Sequence, residues 1–194
     1  MGDEGWVAIL EGLAEGGCTE LQYLCTSIDE ASGTVAEALV HALSSGHCHR
    51  LEKLYACDSF EDDDSIRLVL RSVKKLSFPS IREFTIGDIK YDEDHSILLA
   101  EALKAGAFPK LEVLQFSDQS IHHSLWEVLE AGSCPEMRNI GMCRALLDSD
   151  SSTALASALA SGWLSKLQEF QFADRLDDGG DDDTSLLEVL MALA

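Results

Sequence analysis

Six short segments of one pattern recur along the chain: "LQYLCTS" from Leu21, "LEKLYAC" from Leu51, "IREFTIG" from Ile81, "LEVLQFS" from Leu111, "MRNIGMC" from Met137 and "LQEFQFA" from Leu167. Their starts lie 30, 30, 30, 26 and 30 residues apart. A period of this length is the mark of a solenoid, in which each unit buries its apolar face only against its neighbours. Positions one, four and six of each segment carry the large apolar residue, as in Ile81, Phe84 and Ile86 or Leu111, Leu114 and Phe116. Thr26 and Ala56 are the weak sixth positions. Positions two, three and five are mostly polar, so one face of each strand meets water. Closed α/β folds bury both strand faces and read as continuous apolar runs, so the pattern favours an open, curved array.

Between the segments runs a second, helical pattern. "TVAEALVHALSSG" reads as a helix opened by a Thr34–Glu37 capping box and closed at Gly46. "SLWEVLEAG" repeats this with Ser124, Glu127 and Gly132, while Ser96 with Gly106 and Ser152 with Gly162 bracket two more. The third unit opens at Ser65 and lacks the closing glycine. About six strands therefore alternate with about seven helices, the first near Gly5–Ala14 and the last near Ser185–Ala194.

On these segments the chain resembles the leucine-rich repeat family in its long-repeat, ribonuclease-inhibitor-like subtype, through the LxxLxL core and the amphipathic "L..AL..G" helix. The resemblance implies one domain over residues 1–194, a curved α/β solenoid with its parallel sheet on the concave face and its helices on the convex face. The chain departs from the family at the buried asparagine, where Asp29, Ser59, Ile89, Gln119, Ala145 and Arg175 stand. The chain opens almost directly into a helix with Trp6 and closes on "EVLMALA" without polar capping units. This fits a fragment of a longer array, or ends that a partner covers.

Charge narrows the partners. Fourteen basic against thirty-five acidic residues give a net charge of −21. That balance argues against nucleic acid or an anionic membrane surface and favours a basic protein partner. No apolar run is long enough to span a membrane, and the acidic start "MGDEGW" is neither a signal peptide nor a basic transit peptide. The expected location is the cytoplasm or nucleus. The acidic clusters "FEDDDS", "YDEDHS", "LDSDSS" and "LDDGGDDDTS" all fall between a strand and the next helix, where carboxylates complement the helix N-terminus. Asp58, Asp88, Asp118 and Asp174 hold position eight of their segments, interrupted by Arg144. They read both as turn residues bonding their own backbone and as an acidic stripe for incoming Lys or Arg.

Metal and catalytic readings find little to stand on. Asp177, Asp181, Asp183 and Glu188 have the span of a calcium loop, but Gly179 stands at position three and Asp182 at position six, where the turn needs glycine. The same stretch serves as a helix entrance with Ser185 and Glu188 as its capping box. "SGHCHR" gathers His47, Cys48 and His49 without a second pair of zinc ligands. Cys18, Cys48 and Cys134 share a position held by Phe78, Phe108 and Leu164 in the other units, and are expected to be core thiols. Cys25, Cys57 and Cys143 fall on outward strand positions. No nucleophile elbow, zinc-protease or phosphate-loop motif occurs, and no cofactor is expected.

The expected role is therefore a non-enzymatic protein-binding module. Its expected contacts are the outward residues Tyr23, Lys53, Tyr55, Arg82, Glu83, Gln115, Arg138, Gln168 and Gln171, with Asp58, Asp88, Asp118 and Asp174 on the rim. Two other roles stand beside it: regulation of a small GTPase, as the resemblance implies for some members, and a structural subunit held through its ends. The arginine or asparagine that GTPase stimulation needs maps onto no matching motif here.

Overall fold

A computed structural model describes residues 2–26, 32–57, 63–76, 78–87, 93–117, 121–143, 147–162 and 164–173. Helices and strands alternate: α1 (Asp3–Ala14), β1 (Tyr23–Cys25), α2 (Gly33–Ser44), β2 (Lys53–Cys57), α3 (Asp63–Lys75), β3 (Glu83–Gly87), α4 (Glu93–Lys104), β4 (Val113–Ser117), α5 (His123–Glu130), β5 (Asn139–Cys143), α6 (Ser149–Ala160) and β6 (Glu169–Ala173). The strands form one parallel sheet in chain order, β1 to β6. Equivalent residues pair across it: Tyr23 with Lys53, Lys53 with Glu83, Glu83 with Val113, Val113 with Asn139 and Asn139 with Glu169. The shorter 26-residue step before β5 leaves this register intact, so the missing residues come out of the helix and its loops. α5 is accordingly the shortest helix described, at 8 residues.

Strands pair about 4.8 Å apart, whereas packed helices need roughly 8–10 Å. A chain that alternates the two bends towards its sheet, which puts the helix-free sheet face on the inside of the curve. Position four supplies the inner core with Leu24, Leu54, Phe84, Leu114 and Ile140, all buried. Each helix answers with an apolar stripe, as Val35, Ala36, Leu39, Ala42 and Leu43 do on α2. The end units are less enclosed: Leu21 and Leu167 are only partly buried, while Leu51, Ile81, Leu111 and Met137 are buried at the same position. Thr26 is buried too, its N–H and hydroxyl both donating to the Tyr55 carbonyl at 2.9 and 3.2 Å. A hydroxyl can thus serve at this apolar position because the neighbouring strand supplies its acceptor.

The helix ends bear out the closing glycines, with Gly46 and Gly106 at φ 81 and 75, where a side chain would be strained. The helix starts differ from expectation. α2 is entered through Ser32, α5 through His122 and α6 through Asp148, so Thr34, Ser124 and Ser152 lie inside their helices. Ser65, Ser96, Ser151 and Ser152 are all buried. Several of these polar groups bond across units. Ser96 Oγ accepts from the His122 N–H at 2.9 Å, Ser151 Oγ donates to the Ile121 carbonyl at 2.6 Å, and the Asp3 carboxylate accepts from the Ser32 N–H at 3.3 Å. Side chains at these helix starts therefore tie neighbouring units together, forward from α1 and α4 and backward from α6.

Asp148 caps α6, accepting from the Ser151 N–H at 2.7 Å, and that bond holds its carboxyl below the usual aspartate range. A depressed folded pKa gives stability that is present above the unfolded value and lost as pH falls through the folded one. Asp148→Ala is expected to cost about 0.5–2 kcal/mol at neutral pH. Urea titrations should show that difference closing as the pH drops below the aspartate range.

Candidate functional site

Two rows of side chains cross the helix-free sheet face, and a third runs beside them just before the strands. Position two carries Gln22, Glu52, Arg82, Glu112, Arg138 and Gln168, and position three carries Tyr23, Lys53, Glu83, Val113, Asn139 and Glu169. Position five carries Cys25, Tyr55, Thr85, Gln115, Gly141 and Gln171. The strands carry the expected contacts Tyr23, Lys53, Tyr55, Glu83, Gln115 and Gln171 on this face, while Arg82, Arg138 and Gln168 stand in the row just before the strands. Asp58, Asp88, Asp118 and Asp174 lie outside the described residues, as do Asp177, Asp181, Asp183 and Glu188.

The rows are linked from unit to unit. Tyr23, 52% exposed, meets Tyr55 edge-to-face with ring centroids 5.3 Å apart and an interplanar angle of 82°. The Tyr55 hydroxyl donates to the Glu83 carboxylate, whose other oxygen takes the Lys53 ammonium at 2.7 Å. That hydrogen bond raises the Lys53 pKa, with the Glu83 charge adding to it. Further along, Glu112 accepts from Arg82 and lies 3.7 Å from Arg138 Nε. Asn139 Nδ2 and Gln171 Nε2 both donate to Glu169. At the strand entrances Arg50 pairs with Glu20 and Lys166 with Glu136, and the Lys166 bond holds the Glu136 carboxyl below its ordinary value. Exposed pairs of this kind are screened by water and add little to stability, so their consequence is order among the exposed side chains.

Two features of the face were not expected from sequence. The middle of row five is closed: Thr85 is 9% exposed, its hydroxyl lies 3.4 Å from Gln115 Oε1, and the Gln115 stem covers Gly141. A Cβ at Gly141 would come within 3.2 Å of Gln115 Cγ, so a larger residue there would push the Gln115 stem aside by a few tenths of an ångström. The second feature is charge balance. Rows two and three hold Arg82, Arg138 and Lys53 against Glu52, Glu112, Glu83 and Glu169, a difference of one charge in a chain of net −21. The acidic excess therefore lies elsewhere. Among described residues it gathers at the helix starts, with Asp3 and Glu4 on α1, Glu93 and Asp94 on α4, and Asp148 and Asp150 at α6. Because every unit runs the same way, these starts share one edge of the solenoid.

Solved structures similar to this chain include the C-terminal domain of tropomodulin from Caenorhabditis elegans, with a TM-score of 0.51 over 96% of this chain and 89% of that one, at 12% identity. The fold is leucine-rich-repeat-like. No protein-family model matches the sequence, and no curated protein matches it closely enough to count. At 12% identity the likeness speaks for the solenoid and not for the residues on its face.

The solenoid settles the cysteines unevenly. Cys48 and Cys134 are buried as expected, and burial pushes the Cys134 thiol up to about 12. Cys18 is exposed instead, because its unit has a described neighbour on one side only. Cys25 is half-buried, and the side chains of Cys57 and Cys143 lie outside the description. No group of three or more His, Cys, Asp or Glu suited to a metal occurs among the described residues. No described helix is long and apolar enough to cross a membrane. The residues that sequence reasoning missed are Glu52, Glu112, Asn139 and Glu169. They occupy the same rows as the expected contacts, and the register alone would have found them.

Proposed function

We propose that this chain is a non-catalytic protein-interaction module, a long-repeat solenoid of the ribonuclease-inhibitor-like kind working in the cytoplasm or nucleus. The observation that carries the reading is the exposed Tyr23 ring, held edge-on by Tyr55 on the first described strand of a face most of whose charged groups are paired. A partner meeting such a face finds a rigid aromatic anchor and side chains that lose little freedom on binding. The partner is a basic protein. The sheet face is nearly neutral, so attraction comes from the acidic edge along the helix starts and the strand ends, where Asp58, Asp88, Asp118 and Asp174 stand in the sequence. Such a rim steers encounter and gives salt sensitivity, while the aromatic end sets how long the partner stays.

The test is affinity capture from the native source at low and high salt, followed by titration of the retained protein against the Asp88→Ala/Asp118→Ala double variant. A basic protein should be retained at low salt, and the double variant should bind it more slowly with a weaker salt dependence. Unchanged affinity and salt dependence in the double variant would remove the acidic rim from the mechanism.

A further inference from the structure

The first two cysteines stand in a column whose spacing its other members reveal. Cys18, Cys48, Phe78, Phe108, Cys134 and Leu164 each lie three residues before position one of their segments. In the third and fourth units this column places Phe78 and Phe108 in a stack, with centroids 5.6 Å apart and rings inclined by 25°. The first two units make the same turn as each other. The Leu21 N–H donates to the Cys18 carbonyl and the Leu51 N–H to the Cys48 carbonyl, both at 3.1 Å. Directly after that turn the units are joined, the Glu52 N–H donating to the Gln22 carbonyl at 2.8 Å. Cys18 and Cys48 are therefore neighbouring rungs. Paired strands stand about 4.8 Å apart, and a disulfide requires Cα atoms roughly 4.4–6.8 Å apart.

Their surroundings differ in a useful way. Cys18 is exposed, so a soluble oxidant reaches it, while Cys48 on the neighbouring rung is 6% exposed with its Sγ 3.6 Å from the Ala42 carbonyl. We propose that Cys18 and Cys48 form a dithiol pair that closes to a disulfide between the first two units on meeting a low-molecular-weight disulfide such as oxidised glutathione. The Cys18 thiolate attacks one glutathione sulfur, the glutathione S–S bond breaks, and one glutathione leaves as its thiolate. The Cys48 thiolate then attacks the Cys18 sulfur of the mixed disulfide and expels the second glutathione. Two protein thiols lose two electrons and two protons, and one glutathione disulfide becomes two glutathione thiols.

The second step is the slow one. Burial raises the Cys48 pKa, so little of it is thiolate at neutral pH. Closure speeds up as pH rises, and the closed loop ties the unit bearing Tyr23 to its neighbour.

The experiment treats the full chain with oxidised glutathione, quenches in acid, alkylates under denaturing conditions and maps peptides by mass spectrometry without reduction. The expected product joins the Cys18 and Cys48 peptides within one chain, two hydrogens lighter than the reduced pair, and forms faster at higher pH. In Cys48→Ser the reaction should stop at a stable glutathione adduct on Cys18. In Cys18→Ser, an exposed change that leaves the core intact, Cys48 should stay free for alkylation. A wild-type chain that keeps glutathione on Cys18 with Cys48 still alkylated overturns the proposal, and so does Cys18 linked to any other cysteine.

Discussion

Phe108→Ala is expected to destabilise the chain by about 3–5 kcal/mol, which for a chain of this size lowers the unfolding midpoint by roughly 10 °C or more. Phe108 is 1% exposed and packs on two rings of the preceding unit, Phe78 at 5.6 Å in its own column and Phe84 at 5.0 Å on the neighbouring strand. Deleting the ring opens a cavity where one unit meets the next. A solenoid has no distant contacts to compensate, because its stability is the sum of unit and nearest-neighbour terms. The loss should therefore also broaden the urea transition as the two halves of the array uncouple. Cys134→Ala, at the same column position with a much smaller side chain, is expected to cost about 1 kcal/mol by the loss of a single buried group of that size. A Phe108 variant no more costly than the Cys134 one would show that the column does not couple the units.

The repeat made the architecture legible because a solenoid has one dominant interaction, each unit with its neighbour, and the 30-residue spacing states it outright. From that register the strand positions, the sheet order and the buried fourth position all followed. The helix starts were misread for the same physical reason. Ser96 looks like a local cap in sequence, since an isolated hydroxyl before an apolar run most often serves its own helix. Here its hydroxyl, and that of Ser151 beside the expected cap Ser152, serve the Ile121–His122 backbone of a neighbouring unit, a partner that no local window contains. Cys18 was misjudged by treating every unit as equally enclosed, although the first has one described neighbour fewer. On the candidate face, the aromatic pair and its charged partners could be placed by position, but their hydrogen bonds could not. Whether Tyr55 turns towards Glu83 depends on rotamers set across three strands. The closed centre of row five likewise depends on Gln115 lying over Gly141, which only the packed sheet decides.

Tyr23→Ala is expected to weaken binding of the captured partner by about 2 kcal/mol, close to thirtyfold in Kd, while leaving the unfolding midpoint nearly unchanged. The ring is 52% exposed and its contact with Tyr55 is a single edge-to-face meeting, so the fold loses little when it goes. Tyr55→Phe separates the two ways the pair can act. It keeps the ring that steadies Tyr23 and removes only the hydroxyl bond to Glu83, leaving that carboxylate to Lys53 alone. A smaller loss is expected, about 0.5–1.5 kcal/mol for one hydrogen bond, with the salt dependence of binding retained. Because the residues touch, the double variant should lose less than the sum of the two, and the shortfall measures how far Tyr55 acts through Tyr23. Calorimetric titration of the four chains against the partner supplies each value. Equal affinities for wild type and Tyr23→Ala would move the binding site off the first described strand, and strict additivity would deny that the two rings work as a unit.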